Sequence, residues 1–181
     1  MQVKLKKEDF QAMAAHAVAH LPEEACGLIA GEKSDTERVI KKVYYLTNID
    51  HTNEHFSLDP KEQLAAIKDM RKNGLEPLGN WHSHTETPAR PSKEDIRLAF
   101  DSEASYLIMS LMDQENPVIH AFRVREGQVS KDEIVTISFK QNPDKDSPRR
   151  KPISYICGLG ARFRCERIKR AFKPLRLKSQ I

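Results

Sequence analysis

The 181-residue sequence predicts an α/β protein of the α+β kind. The expected architecture is one domain, a mixed and mostly antiparallel sheet flanked by helices, followed by a basic C-terminal extension. Three observations predict it. Apolar residues recur at helical spacing over residues 5–20 and 60–73. Short β-branched and aromatic runs alternate with these stretches and are joined by polar turns, which reads as an α/β sandwich and not a doubly wound sheet. The charge also divides near residue 140. The chain carries 30 Lys and Arg against 26 Asp and Glu, a net of +4. Residues 140–181 hold 13 basic and 3 acidic residues, net +10, so residues 1–139 are net −6. The domain is therefore placed at 1–140 and the extension at 141–181.

The elements follow in order. The first residues alternate like a short strand, and Leu5 to His20 reads as a helix with Phe10, Met13, Ala14, Ala17 and Val18 on one face, ended by Leu21-Pro22. Glu24 to Gly31 is a short apolar strand closed by glycine, and Arg38 to Thr47 is a second strand. Asp59 is a plausible cap for a helix with Pro60 in its first turn. That helix runs to about Asn73, stops at Gly74, and has Leu64, Ile67, Met70 and Arg71 in its pattern. Leu78 to His84 is a strand. Its alternation sets Leu78, Asn80, His82 and His84 on one face and Gly79, Trp81 and Ser83 on the other. Ser92 to Ser102 is a helix. Ser105–Met112, Pro117–Arg125 and Glu133–Lys140 are three further strands, joined by Asp113-Gln114-Glu115-Asn116 and by Glu126-Gly127. Residues 141–151 read as a linker, and Ile153 to Phe172 as a basic amphipathic stretch.

Several classes are excluded. No apolar run is long enough to span a bilayer. The N-terminus has no apolar signal region, which predicts a cytoplasmic protein. Cys26, Cys157 and Cys165 form no C-x-x-C pair, which argues against a disulfide framework and against a zinc ribbon. There is no internal repeat.

The most informative stretch is His82-Ser83-His84, followed after seven residues by Ser92 and then, with two between, Asp95. Histidines at i and i+2 on a strand point the same way. Asp95, on the next element, is placed to close the site from the side. Two imidazoles and a carboxylate leave a fourth tetrahedral position for water, the layout of a catalytic zinc. Glu24 is a candidate base. Each part also has a plain reading. An H-x-H pair is often incidental, Ser92-x-x-Asp95 is an ordinary helix start, and Glu23 and Glu24 read equally as solvated charges.

Taken together, Glu24-Ala-Cys-Gly-Leu and H-x-H-x7-S-x2-D resemble the JAMM signature of the MPN+ (JAB1/MPN/Mov34) metallopeptidases. The wording T-P-A-R-P-S is closest to the small prokaryotic members related to Mec+. The resemblance covers about residues 1–139. It implies an MPN/JAB-like fold and one Zn2+ held by His82, His84 and Asp95, with water as fourth ligand. It implies Glu24 as the base that takes a proton from that water and returns it to the leaving amine, and Ser92 as a hydrogen-bond donor to the oxyanion. Glu24 is preferred to Glu23 because it matches the family's E-x-x-G-L pattern and because a shift of one residue reverses the face. The chain departs from many members in having Thr85-Glu86 where they carry proline, a change expected to alter the substrate-facing loop. The implied activity is cleavage after the C-terminal glycine of a ubiquitin-like sulfur-carrier protein, releasing an amino acid such as cysteine or a short tail. An open sheet edge is expected to receive that tail as an added strand. The alternatives are a deubiquitinase-like peptidase, a non-catalytic MPN scaffold binding an acidic partner, and a RadC-type relative. The intact ligand set argues against the scaffold, and the lack of an upstream helix-hairpin-helix segment argues against RadC.

The remaining candidates receive smaller roles. His51 and His55 lie in a polar loop and read as surface or groove residues. Trp81 reads as core, Cys26 as a small buried hydrophobe, and His16 with His20 as a helix-surface pair. The tail reads as a solvated extension, as a handle for an acidic partner such as the carrier, or as a nucleic-acid contact, although no recognised nucleic-acid motif is present. Nothing in the sequence specifies an oligomeric state.

Overall fold

The structure is a computed structural model that describes residues 1–138. The elements are β1 (Gln2–Lys6), α1 (Lys7–Ala19), β2 (Cys26–Lys33), β3 (Glu37–Leu46), α2 (Pro60–Lys72), β4 (Glu76–His84), α3 (Lys93–Leu98), β5 (Ser105–Ser110), β6 (Val118–Arg125) and β7 (Gln128–Ile137). The expectations for the linker and the basic stretch fall outside the described residues, as do the last two residues of the strand expected at 133–140. No helix among the described residues is long and apolar enough to cross a membrane.

The sheet order is β1-β3-β2-β4-β5-β6-β7, and β1 also pairs with β7 to close it into a barrel. Four of the strand pairs are antiparallel and three, β1 with β3, β1 with β7 and β4 with β5, are parallel. The mixed, mostly antiparallel expectation holds, but the open edge does not. The short N-terminal strand lies between β3 and β7 and fills the gap. Val3 and Leu5 on this strand are fully buried, so Leu5 belongs to β1 and not to the helix that sequence spacing gave it.

Two apolar clusters lie on opposite faces of β2. Ile29 packs with Met13 and Ala17 of α1, and with Trp81, Leu107 and Met109. Leu28 and Ala30 pack with Ala66 and Met70 of α2. Burial on both faces explains why β2 reads as a continuous apolar run. The second helix is capped as expected, with the Asp59 carboxylate accepting from Lys61 N and Glu62 N. Leu64, however, is 55% exposed, and Ala66 takes the buried position. The third helix ends at Leu98, four residues earlier than its pattern suggested. The Tyr106 hydroxyl donates to Asp101 O and accepts from Asp101 N, holding the following backbone in a turn.

One register feature matters for the site. Along β4, Gly79 has φ +145, and the pairing with β2 shifts between Ile29 and Ala30. The bulge changes the alternation, so Leu78 joins Trp81 in the core cluster and not the histidine face. Only glycine fits, because a Cβ there would run into the Ser105 backbone. Beyond the bulge the alternation is regular. Trp81 is fully buried and donates from Nε1 to Tyr44 O at 3.0 Å, away from the histidines.

Candidate metal centre

His82 and His84 end β4, and their Nε2 atoms lie 3.1 Å apart. Asp95, in the first turn of α3, brings Oδ1 to 3.4 Å from His82 Nε2 and Oδ2 to 3.5 Å from His84 Nε2. The three donor atoms lie within 4.8 Å of one another, the single such group of metal-ligating side chains among the described residues. Both histidines are buried, and Asp95 is partly exposed.

Each donor is held from behind. Asp95 and Ser92 form a capping box in which Asp95 N donates to Ser92 Oγ at 3.1 Å and Ser92 N donates to Asp95 Oδ2 at 2.7 Å. The capping role therefore coexists with the placement of Asp95 beside the histidines. His84 Nδ1 lies 3.1 Å from Pro88 O, which can only accept, and 2.9 Å from Thr87 Oγ1. A proton on Nδ1 satisfies the carbonyl and leaves the Nε2 lone pair aimed at the cluster. The Phe56 ring stacks on His82 with centroids 4.6 Å apart. His82 Nδ1 is buried without a hydrogen-bond partner.

The electrostatics suit a cation. Burial pushes His82 down to about 4, against the opposing pull of Asp95, so its imidazole is neutral and offers a lone pair. Burial also works against charge on His84, but the Asp95 hydrogen bond, Glu24 and the Pro88 carbonyl outweigh it and raise its pKa. Asp95 is held well below the usual carboxylate range: burial raises it, and the His84 hydrogen bond, the field of His82 and the Ser92 hydrogen bonds together overcome that. Two imidazoles and an ionised carboxylate crowded this closely, in a field that favours positive charge at His84, fit a divalent metal of borderline softness.

Glu24 lies two residues before β2 and is 4% exposed. Burial pushes its carboxyl up to about 8, partly offset by His84 and reinforced by Asp95, whose fields both reach it. Glu23, by contrast, pairs with His51 at 3.1 Å on the surface. Ser92 is exposed and lines an open pocket with His82, Asp95, His55 and Phe56. Cys26 is fully buried, and its thiol is pushed up to about 12 by burial first and by Glu24 second, which leaves it unreactive.

With this geometry in place, the profile of a family described as prokaryotic homologs of the JAB domain matches residues 6–125. The chain belongs to that family. A CysO-cysteine peptidase of Mycobacterium tuberculosis is 36% identical over 125 residues, covering 68% of this chain and 83% of that protein. A Thermus thermophilus protein named as a probable TtuB-protein conjugate cleaving protease is 37% identical over 116 residues, covering 63% of this chain and 70% of that protein. The solution structure of a Desulfitobacterium hafniense protein superposes with a TM-score of 0.71 at 49% identity, covering 77% of this chain and 94% of that one.

In this JAB-family chain the structure brings together His82, His84 and Asp95, sets Ser92 beside Asp95, and buries Glu24 within the field of both. Sequence reasoning missed the residues that hold them. Ser83, between the two histidines, is fully buried and accepts from Ala25 N through Oγ. Phe56 and Asn48 come from the polar loop of which the sequence reading singled out only His51 and His55, as surface or groove residues; His55 lines the pocket. The one signal for Thr87 and Pro88 was the proline-rich turn after His84. His16 is half-buried beside Tyr45 and Trp81, at 4.7 and 6.0 Å between ring centroids, and so is not simply a surface residue.

Proposed function

We propose that this chain is a zinc-dependent peptidase or isopeptidase that hydrolyses the bond after the C-terminal glycine of a ubiquitin-like sulfur-carrier protein. The observation that carries the reading is the convergence of His82, His84 and Asp95, with the buried Glu24 carboxyl in electrostatic contact with His84 and Asp95. The names of the relatives support it: one is named a CysO-cysteine peptidase and another a probable TtuB-protein conjugate cleaving protease.

Zinc, held by His82, His84 and Asp95, would supply Lewis acidity to the reacting water and carbonyl. The chain's own groups do the rest. Glu24 accepts a proton from the attacking water and delivers it to the departing amine, a double role open to a carboxyl buried beside the metal donors. Ser92 Oγ already accepts from Asp95 N, so its hydroxyl proton is free to donate to the oxyanion in the pocket. Pro88 O keeps His84 Nδ1 protonated and the ring oriented. The released group is an amino acid such as cysteine or a short tail.

The test is hydrolysis of a carrier–cysteine adduct and of a carrier–protein conjugate by zinc-loaded full-length chain. Turnover by wild type, abolished in Glu24→Gln with zinc retained, is the expected result. Stoichiometric zinc with no cleavage of either substrate would defeat the reading and favour a binding role.

A further inference from the structure

Residues 47–59 connect β3 to α2, and a single bridge pairs Asn48 with Leu58 across them. Asn48 is 6% exposed, and its amide is fully used. Nδ2 donates to Glu24 O at 3.0 Å and to His55 O at 3.3 Å. Oδ1 accepts from Asp50 N at 3.1 Å and from Ser57 N at 3.2 Å. No other neutral side chain of this size offers two donors and a two-fold acceptor in one plane.

We infer that Asn48 is a positioning residue that ties Glu24 to the loop carrying Phe56, and so sets the proton-transferring carboxyl relative to the metal donors. The inference rests on the role proposed above for Glu24. Glu24 precedes β2, so the ladder bonds of the sheet begin two residues after it. Its own backbone is held by the loop: Glu24 N donates to Thr52 O at 2.9 Å, and Glu24 O accepts from Asn48. The same Asn48 amide group binds His55 O, and the next residue, Phe56, stacks on His82. One buried side chain thus links the backbone of the base to the aromatic face behind a metal donor. A displacement of the base by about 1 Å is enough to cost about 100-fold in rate, whereas the three metal donors stand on β4 and α3, to which Asn48 makes no hydrogen bond.

Asn48→Asp separates the parts. It keeps both acceptor bonds, to Asp50 N and Ser57 N, and loses both donors. In zinc-loaded full-length chain assayed on a carrier conjugate, Asn48→Asp and Asn48→Ala should each lower kcat about 10–100-fold, with KM within about 2-fold and zinc content unchanged. A residue that only stabilises the fold would lower the melting temperature and leave kcat alone. Amide hydrogen exchange supplies a readout that needs no substrate. In wild type the Glu24 amide should be as protected as that of Ala25. In Asn48→Asp the Glu24 amide should lose protection while Ser57 keeps it. An unprotected Glu24 amide in wild type, or a kcat for Asn48→Asp within about 3-fold of wild type, would overturn the inference. Wild type that cleaves neither substrate, yet shows this exchange pattern, would defeat the hydrolase reading and still support the tether. If Asn48→Asp does not fold, Asn48→Ala is assayed in its place against the same limit of about 3-fold on kcat.

Discussion

Ser83 and Ala25 hold each other by two hydrogen bonds: Ala25 N donates to Ser83 Oγ, and Ser83 N donates to Ala25 O, both at 2.9 Å. Ser83 stands between the two histidines, and Ala25 follows Glu24. The pair therefore sets the offset between the metal donors and the glutamate. Ser83→Ala removes the acceptor and leaves a buried N–H unpaired. It should destabilise the protein by about 1–3 kcal/mol, read from urea unfolding midpoints. An unchanged midpoint would mean that water or a backbone shift replaces the bond.

Zinc retention should separate donors from base. Elemental analysis after removal of free metal should find zinc lost in His82→Ala, His84→Ala and Asp95→Ala, and kept in Glu24→Gln. Loss in Glu24→Gln as well would make Glu24 a ligand, not a base.

His16 makes stability depend on pH. Burial first, and His20 second, push it from the ordinary 6.5 down to about 4. The unfolded chain therefore binds a proton between those values that the folded chain refuses. The contribution is fully present above about 6.5 and is lost as pH falls towards 4. His16→Phe keeps a ring against Tyr45 and Trp81 and removes the titration. Between pH 7 and pH 5, wild type should lose more melting temperature than His16→Phe. Parallel melting curves for the two proteins would contradict this assignment.

Gly27 marks the tightest packing on the far side of the site. A Cβ there would run into the Tyr44 carbonyl oxygen and Trp81 Nε1, the two partners of one hydrogen bond. Gly27→Ala should therefore cost about 2–3 kcal/mol by overpacking. Gly74→Ala makes a useful comparison: φ is +65 and nothing lies near the position, so backbone strain acts alone there. Equal losses in the two variants would show that packing at Gly27 gives way easily.

The extension at 141–181 is proposed to meet an acidic partner, the carrier, by charge. Deleting it should raise KM at low salt, with the effect shrinking as salt rises and kcat little changed. A KM independent of the deletion at low salt would remove the idea.

What the sequence made legible was local. Histidines at i, i+2 do converge, because β4 alternates regularly after Gly79. Ser92 and Asp95 form the capping box their spacing announced, and Asp59 caps α2. What stayed hidden depended on distant contacts or on backbone irregularity. The face of Leu78 was misread because the bulge at Gly79 inserts a residue into the count. Leu64 fits the helical period but has no surface to pack on, since the apolar face of β2 lies over Ala66 and Met70. The stack of Phe56 on His82 spans a loop of no periodicity. Closure of the sheet joins residues 131 positions apart, and no window of sequence carries a signal for that.

That closure has a consequence for the order in which the chain can assemble. β1 is the first strand made and β7 the last among the described residues, and they pair in parallel along Gln2–Lys6 and Glu133–Ile137. On a ribosome, residues 24–95 emerge well before this seam can be sewn. The donors His82, His84 and Asp95 are thus available while Val3 and Leu5 still await a neighbour on the β7 side. Barrel closure therefore waits on the end of the domain, whereas the segment that carries these three side chains is complete before it.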